Sequence, residues 1–183
     1  MSSTKQITLF QVRSLAQIAL LAAVLVVGRW LFSPIPNVQP MTVLLILVAK
    51  RWPLSASLTL VAISVIVSNL LLGMGPWTWM QIVSLGTVVV IVKALTGISQ
   101  RLVSGQWQDR LFWVLFAGFS GYLFGFIISF LWVVILPGLS FLTYYLQGLM
   151  FDSLHAIGNV GFYLLLEPII TPLLQRYPIK KNK

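Results

Sequence analysis

Long apolar runs, separated by short polar or proline-rich breaks, dominate the chain. A helix that crosses a membrane needs about 20 predominantly apolar residues. Residues 14–32, 54–72, 79–96, 111–136 and 144–166 are runs of this kind. Residues 41–49 are too short alone, and Lys50-Arg51-Trp52-Pro53 ends that run. The preceding residues 36–40 can extend it, buried against protein instead of lipid. The pattern predicts an all-α integral membrane protein: a six-transmembrane-helix bundle forming one domain over residues 1–183. No internal repeat interrupts it, and residues 175–183 read as a frayed tail.

The first run follows Lys5 and Arg13, as the apolar part of a signal peptide would. It is long, however, and Arg29-Trp30-Leu31-Phe32 offers no small-residue cleavage site, so it reads as a retained span. Six crossings put both termini on one side. Lys5, Arg13, Lys50, Arg51, Lys93, Arg101, Arg110, Arg176, Lys180, Lys181 and Lys183 then fall on that side, and Arg29 alone lies near the other. Basic residues accumulate on the cytoplasmic side of membrane proteins, so both termini are expected to be cytoplasmic.

Composition agrees with this threading. Only 8% of the 183 residues are charged, against roughly 25% in soluble domains. The net charge of +9 does not point to nucleic acid, because the basic residues flank apolar runs and no basic stretch is interleaved with surface aromatics. Attraction to anionic cytoplasmic lipid accounts for them. The absence of cysteine excludes disulfides and thiolate metal sites.

The outer connections, residues 33–40, 73–78 and 137–143, are uncharged and rich in Pro, Gly and aromatics. Trp77, Trp79, Tyr144 and Tyr145 suit the interfacial belt. The longest inner connection, residues 97–110, is polar and basic. Small residues four apart let helices approach closely. Ala19 and Ala23 form such a pair in the first span, open to packing within the chain or to a partner. Ala117, Gly121, Gly125 and Ser129 continue the spacing in the fifth, where packing within the chain is the expected use.

Three polar clusters lie at the outer ends of spans: Asn37, Gln39 and Thr42 around Pro40; Trp77, Thr78, Trp79 and Gln81 after Gly75-Pro76; and Asp152, His155 and Asn159 on the sixth span. The spacing of the last three puts them on one helix stripe. Ionisable groups are costly in hydrocarbon and normally face protein or a wet cavity. Apolar and aromatic walls with a few polar groups suit a small-molecule site. Each also has a plain role: loop satisfaction for Asn37 and Gln39, anchoring for the tryptophans, packing for His155, an interhelical bond for Asn159. Asp152 is open to two readings, pocket acceptor or partner of Arg29.

Catalysis finds little support. There is one His and no Cys, and Asp109 and Glu167 lie away from Asp152, toward the cytoplasm. No nucleophile elbow or HExxH motif is present. Asp152 and His155 alone supply too few ligands for a metal. No phosphate-binding loop is present, so any ATP-driven step needs other subunits. A proton-coupled carrier would want a buried acid such as Asp152, but six short spans without inverted repeats match common secondary transporters poorly.

Three tracts carry a family resemblance: Pro36-Asn37-Val38-Gln39-Pro40-Met41-Thr42; Ser68-Asn69-Leu70-Leu71-Leu72-Gly73-Met74-Gly75-Pro76-Trp77-Thr78-Trp79-Met80-Gln81; and Phe151-Asp152-Ser153-Leu154-His155-Ala156-Ile157-Gly158-Asn159. With the Ala19/Ala23 helix they resemble the S-components of energy-coupling factor (ECF) transporters, most of all the branch assigned to cobalamin and related corrinoids. The likeness covers nearly the whole chain. It implies a multi-pass protein of a prokaryotic plasma membrane that captures a vitamin at its outer face. The S-component then docks on a membrane T-component carrying two ATPase subunits and topples to deliver the vitamin inward. ATP would be used only at the partner ATPases, and the chain itself would bind no cofactor. Ala19 and Ala23 would form the docking face.

For a corrinoid, Trp77, Trp79 and Phe151 would cover the flat ring, and Asn37, Gln39, Gln81 and Asn159 would bond its amides. Thr42, Thr78, Asp152 and His155 complete the expected binding set. His155 as an axial cobalt ligand is chemically open, although recognition by the side chains needs no ligand exchange. Pantothenate, whose carboxylate would want Arg29, is the alternative vitamin. A stand-alone proton-coupled carrier and a structural membrane protein are the alternatives outside the family.

Overall fold

The structure is a computed structural model that describes residues 9–102, 105–136, 138 and 140–179. Lys5, Lys180, Lys181 and Lys183 of the expected cytoplasmic cluster lie outside the described residues, as do the Arg101 side chain and Pro137. The described residues form six helices: α1 (Leu9–Leu31), α2 (Met41–Arg51), α3 (Leu54–Leu72), α4 (Trp77–Leu102), α5 (Gln106–Ile135) and α6 (Phe141–Arg176). Five of them, all but α2, are long and apolar enough to cross a membrane. Their outward faces carry large apolar side chains, among them Leu20, Leu70, Leu115 and Ile157. A protein in water would cover contiguous apolar surface of this kind, whereas lipid solvates it.

The short α2 is the hub. It packs on every other helix, while α1, α3, α4, α5 and α6 follow one another around it in that order. Each of Met41 to Ala49 is buried, which is why this helix is apolar on all sides. Its end is fixed from α4: Lys93 Nζ donates to the carbonyls of Ala49 (3.2 Å) and Trp52 (2.7 Å), partners for oxygens that a helix terminus leaves open. Lys50 Nζ donates to Tyr163 Oη at 3.1 Å, sits 4.4 Å from the centre of the Trp113 ring and pairs with Asp109 at 3.6 Å. This cluster ties α2 to α5 and α6.

The helices alternate in direction. Arg29, Ser68 and Gln81 meet at one end of the bundle, called here the Arg29 end. Lys50, Asp109 and Tyr163 mark the opposite, Lys50 end. At the Arg29 end, residues 32–40 fold back over α2. Gly28 permits this, since a Cβ there would lie 2.8 Å from Pro40 Cγ.

The small-residue stripe of α5 packs on α6. A Cβ at Gly121 would come within 2.6 Å of the Ala156 backbone nitrogen, and one at Gly125 would collide with the Asp152 carboxylate. Ala117 and Ser129 of the same stripe are buried. Ala19 and Ala23, by contrast, lie on the exposed face of α1.

Several sequence expectations need correction. α4 starts two residues before the expected 79. The connection expected at 97–110 is largely helical, because α4 continues to Leu102 and α5 starts at Gln106. α6 reaches Arg176 instead of ending at 166, with Pro168 and Pro172 inside it. Pro168 has no N–H to offer the Leu164 carbonyl, and Arg110 Nη2 donates to that oxygen instead, at 3.2 Å. The tail is not frayed through residue 179: Gln17 Nε2 donates to the Tyr177 carbonyl at 2.9 Å, and Ile179 is buried.

Candidate functional site

Two adjoining cavities open at the Arg29 end. One, of about 390 Å³, lies between the tops of α4, α5 and α6, with Trp77, Tyr144, Phe151 and Asp152 in its wall. The other, of about 320 Å³, lies against α1 and the 32–40 segment, with Arg29, Phe32 and Gln39 in its wall. Asn37, Gln81 and Phe124 line both, so they form two lobes of one cleft. Asn37 holds a left-handed backbone (φ 57°), a conformation that Asn tolerates better than most side chains.

A cavity of about 690 Å³ at the Lys50 end is wider and strongly polar. Its Lys50 pairs with Asp109 and its Arg110 with Glu167, each at 3.6 Å. Those charges serve one another, and Trp107 is the one aromatic residue in a lining made mostly of charged and polar side chains.

The structure brings together Asn37, Gln39, Trp77, Gln81, Phe151 and Asp152 of the expected set. It does not bring Thr42, Thr78, Trp79, His155 or Asn159 to the cleft surface. Thr42 Oγ1 and His155 Nε2 share a buried hydrogen bond of 2.9 Å, with the Phe124 ring edge-on to the imidazole at 5.1 Å. Asn159 Nδ2 donates to Ser120 Oγ at 3.3 Å. Thr78 Oγ1 accepts from Asn69 Nδ2 at 2.9 Å, and Trp79 faces outward. The stripe on α6 therefore divides by depth, with Asp152 in the wall and the other two beneath it.

Arg29 and Asp152 form no bridge, and the reading that paired them is corrected. The Arg29 guanidinium donates to Ser68 Oγ at 2.6 Å and to Gln81 Oε1 at 3.2 Å. Arg29 and Asp152 sit in different lobes. Asp152 is 4% exposed, and its Oδ2 has no protein partner. His155 Nδ1 and Asn159 Oδ1 are also buried without one. Buried polar atoms are ordinarily satisfied by protein or ordered water, so three unspent groups on successive turns mark a polar seam under the cleft.

Phe124 and Gln147 also line the cleft and were not singled out from the sequence. Gln147 carried a readable signal, because 147, 148, 151 and 152 recur at helical spacing. Phe124 carried none, being one aromatic among many in an apolar helix.

Thr42→Val tests the floor. It removes the partner of His155 Nε2 while Nδ1 is already unpaired. A buried group left unsatisfied costs about 1–3 kcal/mol, so the expected result is a lower melting temperature in detergent. An unchanged melting curve would show that water replaces the threonine at no cost.

Comparison with protein-family models, with curated proteins and with solved structures found no match to this chain.

Proposed function

We propose that this protein is the substrate-binding S-component of an ECF-type importer, with the Arg29 end outside and both termini in the cytoplasm. It captures a vitamin in the two-lobed cleft and delivers it inward when docked on a T-component with two ATPases. The observation that carries the reading is the cleft itself. Aromatic walls from Trp77, Phe124 and Phe151 enclose amides from Asn37 and Gln81 at one end of an otherwise lipid-facing bundle. Together with the 32–40 segment, α2 supplies the sixth crossing.

A corrinoid is the favoured ligand. Its flat ring suits aromatic walls, and its peripheral amides suit Asn and Gln, which donate and accept at once. Calorimetry on the purified protein should give saturable binding of cobalamin and cobinamide. Binding of neither by a folded sample would end the corrinoid assignment. Arg29 in the smaller lobe favours a second reading, a carboxylated vitamin such as pantothenate, so that ligand belongs in the same titration. Uptake into vesicles that hold no ATPase partner would instead favour a proton-coupled carrier.

A further inference from the structure

Each lobe holds one side chain of fixed hydrogen-bonding polarity, Arg29 in the smaller and Asp152 in the larger, among amides that can both donate and accept. In the smaller lobe, Arg29 can only donate, so the Gln81 oxygen must face it, as it does at 3.2 Å. That oxygen also accepts from Asn69 Nδ2 at 3.0 Å. The Gln81 amide oxygen is thereby engaged by the protein, which leaves its NH₂ and the guanidinium N–H groups not bonded to Ser68 and Gln81 as donors. Arg29 thus gives the smaller lobe a group that only donates, beside Asn37, Gln39 and Ser33, which can do either.

The larger lobe presents an acceptor. Asp152 has a buried oxygen without a partner, and no salt bridge to it exists among the described residues. It is also held in place, because Gly125 brings α5 flush against its carboxylate. A carboxylate that cannot swing away from a wall it lines asks the ligand for an N–H or O–H donor, since leaving it unmet is costly.

We infer that the cleft admits its ligand in one polarity, with an acceptor group on Arg29 and Gln81 and an N–H donor on Asp152. This rests on the binding reading above and narrows the substrate class to molecules with a donor at one edge and an acceptor at the other. Neutral amides qualify at both edges. A ligand that is carboxylate at every edge does not, because it meets Asp152 with like charge and no donor.

The test is calorimetry with cobinamide and with cobyrinic acid, whose peripheral groups are carboxylates. The wild-type protein should bind cobinamide at least about tenfold more tightly, the scale of one well-placed polar contact. Asp152→Asn, which keeps the size of the side chain but both donates and accepts, should shrink that preference to about threefold or less. Arg29→Gln should weaken binding of both compounds, cobyrinic acid at least as much as cobinamide, so that the preference is kept or widens. Equal affinities in the wild type would overturn the inference without needing any variant, and so would a preference undiminished in a folded Asp152→Asn protein. Binding of neither compound would remove the corrinoid reading and this inference with it.

Discussion

Gly121→Val is expected to prevent stable packing of α5 on α6. The first added carbon would lie 2.6 Å from the Ala156 nitrogen and 2.8 Å from its Cα. Those are backbone atoms in the middle of a helix and have no rotamer to move into. Overpacking of this kind costs roughly 1–3 kcal/mol and more where nothing relaxes. Here relief would require separating the most extensive helix pair in the bundle. The measurement is the monodisperse fraction and melting temperature in detergent. Gly148→Ala is the control, since a Cβ there meets nothing within 4 Å. A Gly121→Val protein as stable as that control would refute the close approach.

The second large effect concerns function. On the proposed reading, Ala19→Trp combined with Ala23→Trp should abolish ATP-dependent uptake with the partner subunits while leaving ligand binding by the isolated protein unchanged. The two positions lie on the exposed face of α1 beside Leu15, Leu20 and Val27, remote from the cleft lobes. Bulk there cannot disturb packing inside the chain, but it would keep a partner helix from close approach. Uptake at the wild-type rate would place the docking surface elsewhere. Loss of binding as well would mean that α1 shapes the cleft more than its contacts suggest.

How much of this was legible in the residue order varied with the physics involved. Runs of about 20 apolar residues have few alternatives to a membrane helix, so α1, α3, α4, α5 and α6 could be located and α2 recognised as short. The ends were harder. The apolar run that gave the sixth span ends at 166, just before Pro168, which withdraws a backbone donor. The helix persists through it because Arg110, 54 positions earlier in the chain, supplies the missing bond to Leu164, and no local pattern announces that. In the cleft, the spacing of Asp152, His155 and Asn159 marked one polar face. It could not say that Thr42 would claim the imidazole or Ser120 the amide. Proximity in space decided which of the three reached the cleft wall, and Arg29, a natural partner for Asp152, was taken by Ser68 and Gln81.

On the proposed reading, the length of α2 sets how far a captured molecule would still have to go. Eleven residues rise only about 16 Å along a helix axis, against a hydrocarbon layer of about 30 Å. Anything resting above Met41 would already lie near the midplane of a bilayer. In the proposed importer the remaining barrier would be a plug one short helix thick, and a modest tilt of the whole body would change which side of that plug meets water.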